Sequence, residues 1–207
     1  MRFIVVRHAE SQGNRDGIIQ GQLDSPLTVE GHRQLAALMG VLKHCQLSQI
    51  ISSPSGRAMT TAQALAAYCH CNVSSDVRLY EQHFGCYQGQ PYHQALSRDP
   101  AGFAQIFSGV PSAIAPQGES AVQVVQRLMS FFASFSPHHR GTVGVVTHGY
   151  ALQALIWQLQ GANLREETSK YSHLSCSYSI VDTTASGLTL QHWGIATHLL
   201  ALRQAPI

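Results

Sequence analysis

The chain has 207 residues, of which 44% are hydrophobic and 12% are charged, and its formal net charge is +2. This length is typical of one domain with a substantial buried core, so we expect residues 1–207 to form a single domain. The small net charge and the scattered basic residues argue against binding to nucleic acid or to an anionic membrane.

The first predicted element is a strand that ends in two polar residues. Residues 3–7, "FIVVR", form a β-branched run typical of a buried strand, and the apolar part is too short for a signal peptide. His8 follows at once, as expected where a strand carries a catalytic group to the edge of a sheet. Residues 15–27 are rich in turn formers and predict a loop.

A helix, a strand and a second helix are predicted next. Thr28 is a suitable N-cap, and apolar residues recur at helical spacing over 28–43. "QIISS" (49–53) predicts the second strand, and an alanine-rich helix follows to about Tyr68. Residues 77–91 are irregular and punctuated by glycine, which predicts loop structure.

The C-terminal half continues the alternation. Residues 92–116 predict short helices and loop, and Ser120 is a suitable N-cap for the helix that follows. "GTVGVVTH" (141–148) predicts the third buried strand, again followed by a helix. Segments near 176–182 and 188–193 predict two strands joined by an "ASG" turn. Strands that alternate with helices indicate an α/β domain with a mainly parallel sheet.

The cysteines and histidines show no metal-binding pattern. "CHC" (69–71) lacks a second pair of ligands at zinc spacing, and His138-His139 lies in a turn-like stretch where we expect solvated side chains. Five cysteines without scaffold-like spacing fit a reduced, intracellular protein. No apolar run approaches the length of a membrane span, so we expect a soluble cytoplasmic protein.

Three predicted strands end in residues suited to one ligand. The first delivers Arg7-His8, the second delivers Ser53 with Arg57 close behind, and the third delivers His148. If these strands are neighbours and parallel, the side chains converge at the carboxyl edge of the sheet. Two guanidinium groups and two imidazoles suit a phosphoryl group and would repel a metal cation, and the two following helices could point N–H groups at the anion.

Six segments, in order, resemble the motifs of the histidine phosphatase superfamily, the phosphoglycerate mutase-like family. They are "RHAESQGN" (7–14), "GQLDSPLTVEG" (21–31), "SSPSGRAMTTA" (52–62), "RLYEQHFGCYQG" (78–89), "PQGES" (116–120) and "VVTHG" (145–149). The resemblance implies a three-layer sandwich, with helices on both faces of a mainly parallel sheet. It also implies a phosphatase or a mutase, and for the phosphatase we expect neither a metal nor a cofactor.

The resemblance also implies roles for individual residues. His8 would be the nucleophile that becomes phosphohistidine, and Glu81 would be the general acid and then the general base. Arg7, Arg57 and His148 would surround the phosphoryl group and stabilise its charge. The implied substrate-binding residues are Asn14, Gln20, Gly21, Gln82 and Gly149. Glu119 has a weaker case, because a carboxylate is also favourable at a helix N-terminus.

The phosphatase branch is favoured over the mutase branch. Glu81 and His148 are only 67 positions apart (148 − 81), and Arg98, Arg127 and Arg140 are the basic residues between them, whereas cofactor-dependent mutases carry a longer, more basic insertion. Gln82 stands where those mutases have arginine, and "HGY" (148–150) replaces His-Gly-Asn. We therefore expect a phosphatase acting on small phosphomonoesters.

The residues expected on the substrate side are polar and aromatic with little fixed charge: Gln20, Gln82, His83, Phe84, Tyr92 and Tyr150. They predict a small phosphorylated metabolite whose remainder is not strongly anionic. A phosphoglycerate mutase, an α-ribazole-phosphate phosphatase, a phosphoserine phosphatase and a phosphate-binding module without activity remain alternatives. The protein would act as a monomer or a homodimer.

Overall fold

The computed structural model describes residues 1–136, 141–185 and 187–203. In chain order the strands and α-helices are β1 (Arg2–Arg7), α1 (Gln12–Arg15), α2 (Val29–Leu42), β2 (Leu47–Ser52), α3 (Gly56–Cys69), β3 (Asn72–Ser75), α4 (Tyr92–Arg98), α5 (Pro100–Phe107), α6 (Ala121–Ala133), β4 (Thr142–Thr147), α7 (Gly149–Leu159), β5 (Tyr178–Thr184), β6 (Gly187–Ile195) and α8 (Leu200–Arg203). None of the described helices is long and apolar enough to cross a membrane.

The strands form one six-stranded sheet in the order β3-β2-β4-β1-β5-β6. Strand β4 lies between β1 and β2 and is parallel to both, while β3 extends the parallel part beyond β2. Strands β5 and β6 add antiparallel partners next to β1. The prediction of an α/β fold with a mainly parallel sheet is confirmed.

Helices cover both faces of the sheet, because successive strand residues point to opposite sides. Phe3 and Val5 of β1 pack on one face with buried residues of α6 and α7. Ile4 and Val6 pack on the other face with residues of α2 and α3. Both faces of the central strands are therefore buried, which explains their continuous apolar runs.

The predicted boundaries differ from the observed ones by one or two residues at most of the elements. The second strand starts at Leu47 and ends at Ser52, so Ser53 follows it rather than belonging to it. The predicted 176–182 and 188–193 strands are Tyr178–Thr184 and Gly187–Ile195. His138, His139 and Arg140 lie outside the described residues, and so does part of the "ASG" turn.

Helices α1 and α8 and strand β3 have no counterpart among the predictions. Helix α1 begins after Ser11, whose side chain accepts a hydrogen bond from the Asn14 N–H. The Asn14 side-chain oxygen in turn accepts from the Ser11 N–H, which completes a capping box. Strand β3 lies at the sheet edge and is mostly exposed, so it lacks the apolar pattern that identifies a buried strand.

Candidate active site

The three strand ends meet at the carboxyl edge of the sheet, as predicted. His8 directly follows β1, and its backbone N–H donates to the Thr147 carbonyl at 3.0 Å. Ser53 directly follows β2, and its N–H donates to the Val146 carbonyl at 2.9 Å. His148 follows β4 and is the N-cap of α7. Strand pairing therefore fixes the backbone on which His8 and His148 sit side by side.

A pocket of about 230 Å³ opens at this edge. Five residues that were predicted to contact the phosphoryl group or to lie beside it line this pocket: Arg7, His8, Asn14, Arg57 and Glu81. The other lining residues are Gly13, Ile18, Gln20, Gly21, Phe84, Tyr92, Gly149, Tyr150 and Gln153. The structure thus brings the predicted strand ends together and adds Gly13, Ile18 and Gln153, which were not predicted.

His8 is buried with a defined tautomer. Its Nδ1 lies 2.7 Å from the Ala9 carbonyl oxygen, which can only accept, so Nδ1 carries the proton. Its Nε2 is then unprotonated and accepts from Arg57 Nε at 3.2 Å. Burial lowers the pKa of His8 well below 6.5, and the charges of Arg57 and Arg7 lower it further. The ring is neutral at pH 7 and presents a nitrogen lone pair at the pocket.

Arg57 is held by the loop that precedes α2. Its Nη2 donates to the Gly21 carbonyl at 2.7 Å and its Nη1 donates to the Leu23 carbonyl at 2.5 Å. Asp24 accepts from both Nη1 and the Arg57 backbone N–H, at 3.2 and 3.1 Å. Gly21 has φ +53, and a Cβ there would lie 2.1 Å from Gln88 Oε1, so the loop needs glycine to reach this position.

Arg7 lies at the end of β1, and a different part of the chain, at His173, holds its guanidinium group. Its Nη1 donates to the His173 carbonyl, and its Nε has no partner among the described residues. A Cβ on Gly149 would lie 3.3 Å from the Arg7 guanidinium carbon, so glycine at the start of α7 allows the two to approach closely. Arg7 therefore lines the pocket while its buried Nε keeps a donor hydrogen that no described group engages.

His148 is fully buried behind His8 and is not among the residues that line the pocket. Its ring centroid lies 5.0 Å from that of His8, in an edge-to-face arrangement. Its Nε2 contacts Ser53 Oγ at 2.8 Å and Ser55 Oγ at 3.3 Å, while Nδ1 has no partner. Burial, and then the charge of Arg57, lower the pKa of His148 well below 6.5.

The Glu81 carboxylate sits at the N-terminus of α7. It accepts from the backbone N–H groups of Tyr150 at 3.1 Å, Ala151 at 2.8 Å and Gln82 at 3.0 Å. The N-terminus of α3 is likewise met by Asp24. Protein carboxylates therefore accept from the N–H groups of Tyr150 and Ala151 in α7 and of Arg57 in α3, as favoured at the positive end of a helix dipole.

Asn14 and Gln20 line the pocket wall with fixed side chains. The Asn14 amide oxygen accepts from the Ser11 N–H at 3.1 Å, so the amide nitrogen is the group it can offer to an anion. Gln20 Oε1 accepts from Ser25 Oγ at 2.7 Å. A Cβ on Gly13 would lie 2.4 Å from Gln20 Cδ, so glycine makes room for this side chain.

Gln82 and His83 do not line the pocket, contrary to expectation. The Gln82 amide nitrogen donates to the Glu119 carbonyl at 2.9 Å, which turns the side chain away from the cavity. The substrate side is formed instead by Phe84, Tyr92 and Tyr150, as expected, together with Gln153. Burial raises the pKa values of Tyr92 and Tyr150, so both phenols stay protonated at neutral pH, and their oxygens lie 3.4 Å apart.

Gln153 is a lining residue that no sequence pattern predicted. It lies one turn into α7 and is 8% exposed, and its Oε1 is buried without a partner among the described residues. In a helix with apolar neighbours, a lone glutamine carries no motif that would identify it. The described residues contain no group of three or more His, Cys, Asp or Glu side chains arranged to hold a metal ion.

Known proteins resemble the chain over nearly its whole length. Residues 3–196 match the sequence profile of the histidine phosphatase superfamily (branch 1). A Proteus mirabilis protein named "Probable phosphoglycerate mutase GpmB" is 33% identical over 95% of this chain and 92% of its own. A mycobacterial glucosyl-3-phosphoglycerate phosphatase, solved with VO3, superposes with a TM-score of 0.84 and 28% identity, covering 93% of this chain and 98% of its own. The α-ribazole phosphatase from Shigella flexneri gives a TM-score of 0.81 and 25% identity, covering 95% and 97%.

Proposed function

The chain belongs to the histidine phosphatase superfamily (branch 1), and within that family we propose that it is a metal-independent phosphatase that hydrolyses small phosphomonoesters through a phosphohistidine at His8. The observation that carries the proposal is the state of His8. Its Nδ1 proton is committed to the Ala9 carbonyl, and its Nε2 lone pair lies beside Arg57 in a pocket that Glu81 also lines.

The first step of the proposed reaction is attack of His8 Nε2 on phosphorus. The P–N bond forms as the bond to the ester oxygen breaks, and the phosphoryl group moves to the histidine. A low pKa keeps the ring neutral, so no proton has to leave Nε2 before attack. Water then attacks the phosphohistidine, and inorganic phosphate and free His8 result.

Arg7 and Arg57 would stabilise the charge on the transferring phosphoryl oxygens. Both guanidinium groups are anchored by main-chain carbonyls and line the same pocket. Preorganised donors of this kind need no rearrangement during reaction, which is the main source of electrostatic catalysis. Two fixed cations also disfavour a metal ion in the same place, which supports metal-independent chemistry.

Glu81 would serve as the proton donor to the leaving oxygen and then as the base for water. Its carboxylate lines the pocket that contains His8 Nε2, and three backbone N–H groups hold it in one orientation. A phosphate-binding module would need the two arginines but neither an unprotonated imidazole nitrogen in the pocket nor a carboxylate that lines it. The presence of both supports an enzyme.

The lining of the pocket supports a phosphatase over a phosphoglycerate mutase. A mutase substrate keeps a second anionic group beside the transferring phosphoryl group, and this group needs its own cations. Among the described residues, Arg7 and Arg57 are the cations that line the pocket, while Arg98 is exposed and Arg127 is paired with Glu119. The likeness to proteins named as mutases keeps that activity as the second candidate.

The substrate side supports an uncharged organic remainder. Ile18, Phe84, Tyr92 and Tyr150 give it an apolar surface with phenol groups, and Gln153 adds an uncharged amide side chain. An aryl or hydroxylated alkyl phosphate fits this chemistry better than a dicarboxylate or a bisphosphate. α-Ribazole phosphate is one such ester, whereas phosphoserine carries additional charge and fits less well.

The test is phosphate release from a panel of monoesters in EDTA. The panel contains an aryl phosphate, a sugar phosphate, phosphoserine and 3-phosphoglycerate. We expect release from the aryl or sugar ester, unaffected by chelator and absent in His8→Ala. Since His32 is exposed and outside the pocket, His32→Ala is the matched control and should retain full activity.

Three results would contradict the proposal. Residual activity of His8→Ala above about 5% would exclude the covalent step, because loss of a nucleophile should be nearly complete. Loss of activity in EDTA, restored by a divalent ion, would indicate metal chemistry. Interconversion of phosphoglycerates without net phosphate release would establish the mutase instead.

A further inference from the structure

Glu81 lies on a segment without regular secondary structure. Residues 80–84 form neither helix nor strand, so no backbone ladder fixes the candidate acid–base group. The side-chain bonds to α7 hold its carboxylate, but they do not hold the main chain that carries it. Another part of the fold must set the position of this segment.

Arg127, on the middle of α6, donates to two main-chain carbonyls of this region. Its Nη1 donates to the Arg78 carbonyl at 2.6 Å and its Nη2 donates to the Glu81 carbonyl at 3.1 Å. The same guanidinium forks onto Glu119, with Nη2 to Oε1 at 2.8 Å and Nε to Oε2 at 3.2 Å. One planar group thus links α6, Glu119 and the residue that carries the candidate acid.

Glu119 binds the next residues of the segment from the other side. Its Oε1 accepts from the His83 N–H at 3.0 Å, and its own N–H donates to the His83 carbonyl at 2.9 Å. Its carbonyl accepts from the Gln82 amide at 2.9 Å. Each residue from Glu81 to His83 is therefore bonded to Arg127 or to Glu119.

We propose that the Arg127–Glu119 ion pair is a positioning device for Glu81, which sets the distance between its carboxyl group and the ester oxygen that leaves phosphorus as His8 attacks. This inference rests on the proposed phosphatase function. Both side chains are only 18% exposed, so the pair is largely shielded from water and rigid enough to define a position. Neither residue lines the pocket, so both act through Glu81 and not on the substrate.

Lysine cannot reproduce this geometry. Its ammonium group keeps the positive charge, but it is one compact centre. It cannot bind both oxygens of a carboxylate and reach two carbonyls at the same time. Arg127→Lys and Glu119→Gln therefore loosen the segment while changing little else. Arg2→Lys is the matched control, because Arg2 makes a similar fork onto Asp182, at 2.9 Å to each oxygen, outside the pocket.

The experiment compares kcat/KM for an alkyl phosphate and for 4-nitrophenyl phosphate. Protonation by a general acid matters for the poor alkoxide leaving group and little for nitrophenolate. We expect Arg127→Lys and Glu119→Gln to lower kcat/KM about 100-fold for the alkyl ester and less than about 5-fold for the aryl ester. Arg2→Lys should leave both values within about 2-fold. Equal losses on both esters would overturn the proposal.

A double variant and an exchange measurement separate this inference from the proposed function. When Arg127→Lys is added to Glu81→Gln, kcat/KM for the alkyl phosphate should fall by less than a further factor of about 2, because both substitutions act through the Glu81 carboxylate. Amide exchange at His83 should accelerate at least about 10-fold in Arg127→Lys and stay unchanged in Arg2→Lys. If the wild type releases no phosphate, the proposed function fails, but the exchange rate at His83 still tests whether Arg127 positions the segment. Unchanged exchange at His83 would overturn the positioning role.

Discussion

Arg57 illustrates how a loop, as well as the sheet, builds the candidate site at the level of single residues. It is 2% exposed, and its guanidinium donates to the carbonyls of Gly21 and Leu23 and to Asp24. Its Nε remains directed at His8 Nε2. The contacts on one side of the guanidinium fix the donor on the other side, which makes the orientation of Arg57 depend on the whole loop.

We predict that Arg57→Lys lowers kcat/KM by at least about 100-fold, although the charge is kept. A lysine ammonium cannot reach both carbonyls and the nucleophile together, and loss of one preorganised donor costs about this much in other active sites. Steady-state kinetics on the best ester of the panel would measure it. Since Arg165 is exposed, Arg165→Lys is the control. A loss below about 10-fold for Arg57→Lys would mean that charge alone is needed.

Residue identity predicted some site members and not others. Arg7, His8 and Arg57 were predicted because a strand end or a helix start places them, and local patterns reveal both. Gln82 was expected to face the substrate, yet its amide bonds to Glu119, 37 positions away. Gln153 was not anticipated at all. Contacts between distant segments decide such orientations, and no local pattern records them.

At the scale of elements, Gly85 fixes the turn that follows the Glu81 segment. It has φ +49, and a Cβ would lie 1.9 Å from the Pro116 carbonyl oxygen. The Cys86 N–H donates to that same oxygen at 2.9 Å. The chain therefore passes the Pro116 carbonyl so closely that no side chain fits, and the acidic segment depends on this approach.

We predict that Gly85→Ala destabilises the fold more than Gly17→Ala does. Both glycines have positive φ, and Gly17, at +63, has no atom within 4 Å of a built Cβ. Gly17→Ala should cost about 1 kcal/mol for the left-handed backbone, and Gly85→Ala at least about 2 kcal/mol more, because a backbone atom must move. Urea unfolding at pH 7 measures both. Equal costs would show that the Pro116 contact relaxes freely.

Burial on both faces made the central strands predictable. β1, β2 and β4 occupy central positions with both faces covered, so they appear as apolar runs in the sequence. β3 has the sequence "NVSS" at the sheet edge and offers no such run. Residues 80–84, which carry Glu81, show no hydrophobic periodicity. The Arg127–Glu119 ion pair and the close approach of Gly85 to Pro116 hold this segment, and neither contact produces a repeating sequence pattern.

At the scale of the whole molecule, the described part of the chain buries three histidines, His8, His148 and His173, and burial lowers the pKa of each. His8 and His148 lie at the candidate site, and the carbonyl of His173 holds Arg7. The His173 ring bonds the Tyr171 carbonyl at 2.8 Å and Ser179 Oγ at 3.0 Å. Burial lowers the pKa of His173 to about 4, with a smaller contribution from Arg7, so the ring is neutral over most of the acid range.

These depressed pKa values fix the sign of the pH dependence. Below pH 6.5 the unfolded chain binds protons at these histidines that the folded protein does not, so stability falls as pH falls. For His173, lowering the pH from 7 to 5.5 should cost about 1 kcal/mol of unfolding free energy. His8 and His148, whose pKa values are also lowered by burial, act in the same direction.

The prediction is tested by urea unfolding at pH 7 and pH 5.5 in the wild type and in His173→Asn. Asparagine can still donate to the Tyr171 carbonyl but loses the acceptor for Ser179 Oγ, so the variant should be less stable at pH 7. It should nevertheless lose about 1 kcal/mol less than the wild type between the two pH values, because its unfolded chain has one fewer histidine to protonate. His32→Asn removes an exposed histidine and should leave the pH dependence unchanged. An equal loss in wild type and His173→Asn would mean that the folded protein protonates His173 as readily as the unfolded chain does.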